Sequence, residues 1–198
     1  MAELRVARSE LILGGQKSGK TARAETLAAA WLAQSPAHKA TYVATAQAWD
    51  EEMRDRIARH RQDRAQRVPG MATIEEPLQL AEVLRQNSRA NTLLVVDCLT
   101  LWLTNLLLPA EASNLAVSEQ KQEQPRVHRS FLAIDSIADC TGPVVLVSNE
   151  IGLGVIPLGR EVRAFVDALG LVNQRAATAC ERVTLMAAGL PLTLKDSP

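Results

Sequence analysis

The chain has 198 residues, with 22 basic and 22 acidic side chains that leave no formal net charge. Such a balance gives no long-range field toward nucleic acid or an anionic membrane, and the length suits one domain over residues 1–198 rather than two. The apolar stretches are too short to span a bilayer, and Glu3, Arg5, Arg8 and Glu10 interrupt the start where a signal peptide would be apolar. Three widely spaced cysteines, Cys98, Cys140 and Cys180, fit neither a disulfide framework nor a zinc site. The expectation is a cytoplasmic globular protein whose cysteines are small core residues.

The first predicted strand, Leu11-Ile12-Leu13, runs into Gly14-Gly15-Gln16-Lys17-Ser18-Gly19-Lys20-Thr21, a full match to G-x-x-x-x-G-K-[ST]. A helix predicted over 20–34 follows without a breaker. Strand, glycine-rich turn and helix N-terminus together make a phosphate site, because backbone N–H groups curl inward and the helix dipole adds positive potential. In that setting Lys20 reaches the β- and γ-phosphates and the Thr21 hydroxyl ligates Mg²⁺. The chain is expected to bind a nucleoside triphosphate, ATP or GTP.

Tyr42-Val43-Ala44-Thr45 reads as a short strand and 50–64 as a charged helix capped by Asp50, with Glu52–Arg56 and Arg59–Asp63 as expected i,i+4 pairs. On that helix His60 has Arg56, Arg59, Arg61 and Arg64 at i−4, i−1, i+1 and i+4. Those cations would hold phosphates beside a ring whose neutral form has a free lone pair that suits attack on phosphorus. The same residues also fit an ordinary solvated helix face.

Further along, 77–87 reads as a helix and Thr92-Leu93-Leu94-Val95-Val96 as a buried strand ending in Asp97. An acidic residue there is the usual Mg²⁺ partner downstream of a phosphate loop, although Asp97 could instead cap a helix starting at Cys98. Residues 109–125, rich in Glu, Gln, Ser and Pro, read as an exposed polar loop or insertion. A helix over 126–140, a strand over Val144–Ser148 and a helix over 160–181 follow, and Val183–Met186 with Leu192–Leu194 close the chain as an edge pair. Strand-helix alternation with near-continuous apolar strands predicts a three-layer α/β fold around a mostly parallel sheet. Ser148-Asn149-Glu150-Ile151-Gly152-Leu153-Gly154-Val155-Ile156-Pro157, leaving a buried strand, and Val172-Asn173-Gln174-Arg175 are candidates for pocket wall, although the first also fits a plain glycine-containing connection and the second a polar helix face.

The loop GGxxSGK[ST], Tyr42–Ala46, Asp50–Met53 with Arg56-Ile57-x-x-His60-Arg61-x-x-Arg64, Thr73–Pro77, Asp97–Thr100 with Thr104–Leu107, Ser148–Gly154 and Val172–Arg175 occur together in one order. In this the chain resembles, over roughly residues 10–195, the bifunctional adenosylcobinamide kinase / adenosylcobinamide-phosphate guanylyltransferase family. The resemblance implies a RecA-like P-loop NTPase fold and two reactions: phosphorylation of adenosylcobinamide by ATP or GTP, then transfer of GMP from GTP through a guanylylated histidine. The product is adenosyl-GDP-cobinamide. It further implies that the nucleophile is His60 and that nucleotide contacts come from Gly14, Gly15, Gln16, Lys17, Ser18, Gly19, Lys20, Thr21, Ala44, Thr45, Ala46, Arg61, Gln62, Asp63, Arg64, Glu75 and Asp97. Association of copies into a homo-oligomer, a trimer, is also implied. Where some members have a second histidine this chain has Arg59, and where some have Glu it has Asp97. The competing reading is a P-loop small-molecule kinase or ATPase without the guanylyl step, for which His60 is dispensable; a nucleotide-binding switch with negligible turnover is a third.

Overall fold

The computed structural model describes residues 4–48, 51–107, 120–155 and 157–197. Its elements follow in the order β1 (Ser9–Gly14), α1 (Lys20–Gln34), β2 (Lys39–Ala44), α2 (Glu51–Arg67), β3 (Ala72–Glu75), α3 (Leu80–Asn87), β4 (Thr92–Asp97), α4 (Leu99–Leu107), α5 (Gln120–Asp135), β5 (Val144–Val147), α6 (Arg160–Ala179), β6 (Arg182–Ala187) and β7 (Leu190–Asp196). The strands form one seven-stranded sheet in the order β3-β2-β4-β5-β1-β6-β7. Every neighbouring pair is parallel except the hairpin β6–β7.

The central strands are apolar on both faces because both faces are covered. Leu93, Leu94, Val95 and Val96 on β4 are all fully buried. On one face Leu94 and Val96 join Leu11, Val43 and Leu146 beneath α3, α4, α5 and α6, with Leu84, Leu99, Trp102, Leu103, Leu169 and Val172 packed above them. On the other face Leu93 and Val95 join Ile12, Tyr42, Val145 and Val147 beneath Ala24, Leu27 and Ala28 of α1. Alternate residues of each strand thus feed two separate cores, the pattern of a three-layer α/β fold. All three cysteines are free and buried, as expected. Burial pushes the thiols of Cys98 and Cys180 up to about 12, so both stay protonated core groups.

Several element boundaries differ from the sequence reading, each for an identifiable reason. Strand β3 was not anticipated: it is four residues long and partly to fully exposed at the sheet edge, so it lacks the apolar run that marks the inner strands. Helix α4 is a helix in its own right, formed by the apolar stretch after Asp97. Helix α5 begins at Gln120, so the end of the polar stretch 109–125 is helical rather than loop, while 109–119 and Asp50 lie outside the described residues. On α2, Asp63 pairs with Arg67 one turn later at 3.6 Å rather than with Arg59, and Arg67 also reaches Glu25 of α1 at 2.9 Å. The side chain of Arg56, and with it the expected Glu52–Arg56 pair, lies outside the description.

Gly142, just before the central strand β5, is buried against the backbone turn between α3 and β4. A Cβ there would collide with the carbonyl oxygens of Arg89 and Thr92, which are backbone atoms that cannot swing aside. Gly142→Ala is therefore expected to destabilise the fold by about 3 kcal/mol, the upper range for overpacking. Urea denaturation measures it; a midpoint equal to that of the wild type would contradict this packing.

Candidate active site

The glycine-rich octet joins β1 to α1 at the C-terminal edge of the sheet, as its sequence context requires. Gly14 has φ 152° and Gly19 φ 101°, conformations that side-chain-bearing residues rarely adopt. A Cβ on Gly14 would also lie 2.5 Å from both the Met186 carbonyl oxygen and the Ser18 Oγ. The turn of the β6–β7 hairpin braces the loop from outside: Gly189 donates its N–H to the Ser18 carbonyl at 3.0 Å. Gly15, Gln16 and Lys17 are exposed at the crest of the loop, and Ser18 is buried with a hydroxyl that has no hydrogen-bond partner among the described residues.

Lys20 opens α1 and curls back over the loop. Its ammonium donates to the carbonyl oxygens of Gly14 at 3.0 Å and Gly15 at 2.6 Å, and among the described residues no carboxylate pairs with it. Burial holds the Lys20 ammonium below the usual lysine range, against the opposing attraction of Asp97. The result is a cation fixed against the glycine-rich loop with no counter-anion among the described residues, as a phosphate site requires.

Thr21 and Asp97 meet across the gap between α1 and β4. The Thr21 hydroxyl donates to Asp97 Oδ2 at 2.7 Å, and the Tyr42 hydroxyl donates to the same oxygen at 2.9 Å. Asp97 therefore spends its carboxylate on these two hydroxyls. In the first turn of α4 the Leu101 N–H goes instead to Cys98 Sγ, at 3.5 Å. The capping alternative fails on that pattern. Burial, then the Asp97 carboxylate, push the Tyr42 phenol well above its ordinary range, so it remains a neutral donor. Thr45 is fully buried and holds the turn after β4: its hydroxyl accepts from the Cys98 N–H and donates to the Cys98 carbonyl, both at 2.8 Å. Asn105 of α4 donates to the Thr45 carbonyl at 2.8 Å and the Pro77 carbonyl at 3.2 Å. Ala44 and Ala46 flank Thr45 on the same edge, each half-buried.

Helix α2 docks onto this cluster through Arg64. Its guanidinium stacks on the Tyr42 ring, 3.7 Å from the centroid, and donates to Thr73 Oγ1 of β3 at 3.1 Å. Arg64 is only 4% exposed, an unusual degree of burial for a charge with no carboxylate partner among the described residues. One turn before it on the same face stands His60, exposed to solvent. Arg61 pairs with Glu75 at the end of β3. Gln62 is exposed, and Asp63 is committed to Arg67. The structure thus gathers Lys20, Thr21, Thr45, Arg64 and Asp97 into one connected cluster, sets His60 beside it, and leaves Gln62 and Asp63 turned to other surroundings.

Residues 10–194 match the family described as cobinamide kinase / cobinamide phosphate guanyltransferase. The chain belongs to that family. It is a bifunctional enzyme of cobalamin synthesis, a kinase and guanylyltransferase with a P-loop NTPase fold. Over 190 residues it is 46% identical to the bifunctional adenosylcobalamin biosynthesis protein CobP of Pseudomonas aeruginosa, covering 96% of this chain and 98% of that protein. It is 33% identical to the bifunctional adenosylcobalamin biosynthesis protein CobU of Escherichia coli, and 30% identical to the protein of that name from Salmonella typhimurium, in each case over 93% of this chain and 98% of the relative. No helix among the described residues is long and apolar enough to cross a membrane.

Two contributors escaped the sequence reading. Tyr42 entered as part of a strand and of the Tyr42–Ala46 motif with no role of its own, yet it is the one tyrosine of the chain, and a phenol on a buried strand must find an acceptor. The Ala188-Gly189 turn, between two apolar runs, carries a hairpin signal but gives no hint that it braces the phosphate loop. Tyr42→Phe keeps the ring under Arg64 and removes one hydrogen bond to Asp97. It is expected to cost about 0.5–1.5 kcal/mol by chemical denaturation, clearly less than Tyr42→Ala. Equal losses in the two variants would contradict the stacked arrangement.

Proposed function

We propose that this one domain carries both reactions on a single nucleotide site: phosphoryl transfer from ATP or GTP to the adenosylcobinamide hydroxyl, and GMP transfer from GTP to adenosylcobinamide phosphate through a guanylyl-histidine at His60. The observation that carries this reading is the continuous contact chain Thr21–Asp97–Tyr42–Arg64, which ties the His60 face of α2 to the phosphate loop. A nucleophile on an unconnected surface helix would have no access to an α-phosphate held by Gly14–Thr21.

Lys20 and the loop N–H groups bind the phosphates and stabilise the charge that develops on them in either transition state. Thr21 and Asp97 would hold Mg²⁺, since a hydroxyl and a carboxylate oxygen 2.7 Å apart at a phosphate loop are the hard oxygen donors that ion prefers. When bound, the ion would neutralise phosphate charge. Ala44, Thr45, Ala46 and the Arg61–Glu75 pair would line the path from the loop to α2, where the nucleoside would lie, with Gln62 and Asp63 beside them on α2. In the guanylyl step a ring nitrogen of His60 attacks the α-phosphorus and pyrophosphate leaves. Arg64, buried and without a carboxylate, holds positive potential one helical turn away. The reading includes self-association into a trimer. Leu190, Leu192 and Leu194, exposed along the edge strand β7, supply apolar surface for it.

His60→Ala separates the two reactions. Protein-bound label from α-labelled GTP should fall more than about a thousandfold, as when a covalent nucleophile is removed, while phosphorylation of cobinamide continues because it needs no covalent step. Stoichiometric label on His60→Ala would overturn the assignment of the nucleophile.

A further inference from the structure

The segment that leaves β5 has not been used by the mechanism, although the sheet order puts it at the centre of the site. Strand β5 lies between β4, which ends in Asp97, and β1, which ends in the phosphate loop. Its continuation, Ser148-Asn149-Glu150, is fastened on three sides. Ser148 donates its N–H to the Ile12 carbonyl at 3.0 Å, and Glu150 donates its N–H to the Gly14 carbonyl at 3.2 Å. That Gly14 carbonyl is the same oxygen that receives the Lys20 ammonium. Asn149 gives both its backbone and side-chain N–H to Thr100 Oγ1 of α4, at 2.9 and 3.1 Å.

From the opposite side α6 supplies Asn173, 3% exposed, whose amide donates to the Asn149 carbonyl at 3.0 Å and to Glu150 Oε2 at 3.4 Å. The Asn173 Oδ1 is buried without a partner among the described residues, which is costly unless the amide is needed for what its other end holds. Gly152 leaves room for the second carboxylate oxygen: a Cβ there would stand 3.3 Å from Glu150 Oε1. Among the described residues no lysine or arginine pairs with Glu150. The carboxylate is half-buried, oriented by a buried amide and electrostatically uncommitted. Next to it, between residues 151–155 and α6, opens a groove of about 490 Å³ whose lining is mixed, apolar at Ile151, Val155 and Leu171 and polar at Arg163, Asp167 and Gln174.

We propose that Glu150 accepts the proton of the acceptor hydroxyl in the phosphoryl-transfer reaction, with Asn173 positioning it and the adjoining groove taking the body of the acceptor. This rests on the function proposed above and assigns the base of its first step. The acceptor oxygen forms a bond to the γ-phosphorus, the bond from that phosphorus to the β–γ bridging oxygen breaks, and the electron pair leaves with the nucleoside diphosphate. The hydroxyl proton passes to a Glu150 carboxylate oxygen. Because α2 follows β2 while Glu150 follows β5, with β4 between those strands, His60 and Glu150 approach the site from different sides, one serving each reaction.

The test assays Glu150→Gln and Glu150→Asp beside wild type for cobinamide phosphorylation by ATP and, separately, for protein-bound GMP from α-labelled GTP. The expected result is a kcat for phosphorylation lowered about a hundredfold or more in Glu150→Gln, with the KM for ATP and the GMP adduct at wild-type levels. Recovery of at least about tenfold in Glu150→Asp, which restores a carboxylate, is expected with it. Wild-type phosphorylation in Glu150→Gln, parallel loss of both activities, or no recovery in Glu150→Asp would each overturn the inference alone. A wild-type protein that phosphorylates no cobinamide would overturn the proposed function, and this assignment with it.

Discussion

The Asp97 carboxylate receives the Thr21 hydroxyl from the start of α1 and the Tyr42 hydroxyl from β2, while the Tyr42 ring carries the Arg64 guanidinium of α2. Three segments far apart in sequence are held together by that one acidic group at the end of a fully buried strand. Remove it and the Thr21 and Tyr42 hydroxyls lose their acceptor, the phosphate loop loses its tie to β4, and the ring on which Arg64 of α2 rests loses the hydrogen bond that fixes it. The cluster is stable only because each polar member is satisfied by another, which makes it sensitive to any single loss.

A phosphate loop alone specifies a triphosphate site and nothing about which phosphorus reacts. Here the two flanks of the loop differ. On the β2 side stands a charged helix with an exposed histidine above a buried arginine; on the β5 side stands a carboxylate oriented by a buried asparagine. A nitrogen nucleophile suits covalent capture of a nucleotidyl group, and a carboxylate suits removal of a hydroxyl proton. The proposed function and the role proposed for Glu150 give the two reactions on one nucleotide-binding loop chemically distinct neighbours.

Much of this was legible in the sequence because the signals are local. The loop octet and the continuous apolar run of β4 ending in Asp97 each depend on residues within a few positions, and each has the predicted structure; the helix that carries His60 was legible in the same way. What was not legible depends on tertiary placement. Strand β3 is an exposed edge whose pairing with β2 decides its state. The partners of Asp63 on α2 differ from the i,i+4 expectation because Arg67 is anchored by Glu25 of α1 and draws Asp63 toward it. Tyr42 and Asn173 stand in motifs of the sequence, but nothing local gives the partner of either side chain. Their roles appear only when the sheet order brings β2 beside β4, and α6 beside the segment after β5.

The central claim is that one phosphate loop serves both reactions. Inhibition by the β,γ-imido analogue of ATP tests it, measured on two readouts of the same protein: phosphorylation of cobinamide, and GMP labelling from α-labelled GTP without acceptor. A shared loop predicts competitive inhibition of both with the same apparent constant. Full GMP labelling at analogue concentrations that abolish phosphorylation would contradict it, and would place the guanylyl reaction at a second nucleotide site.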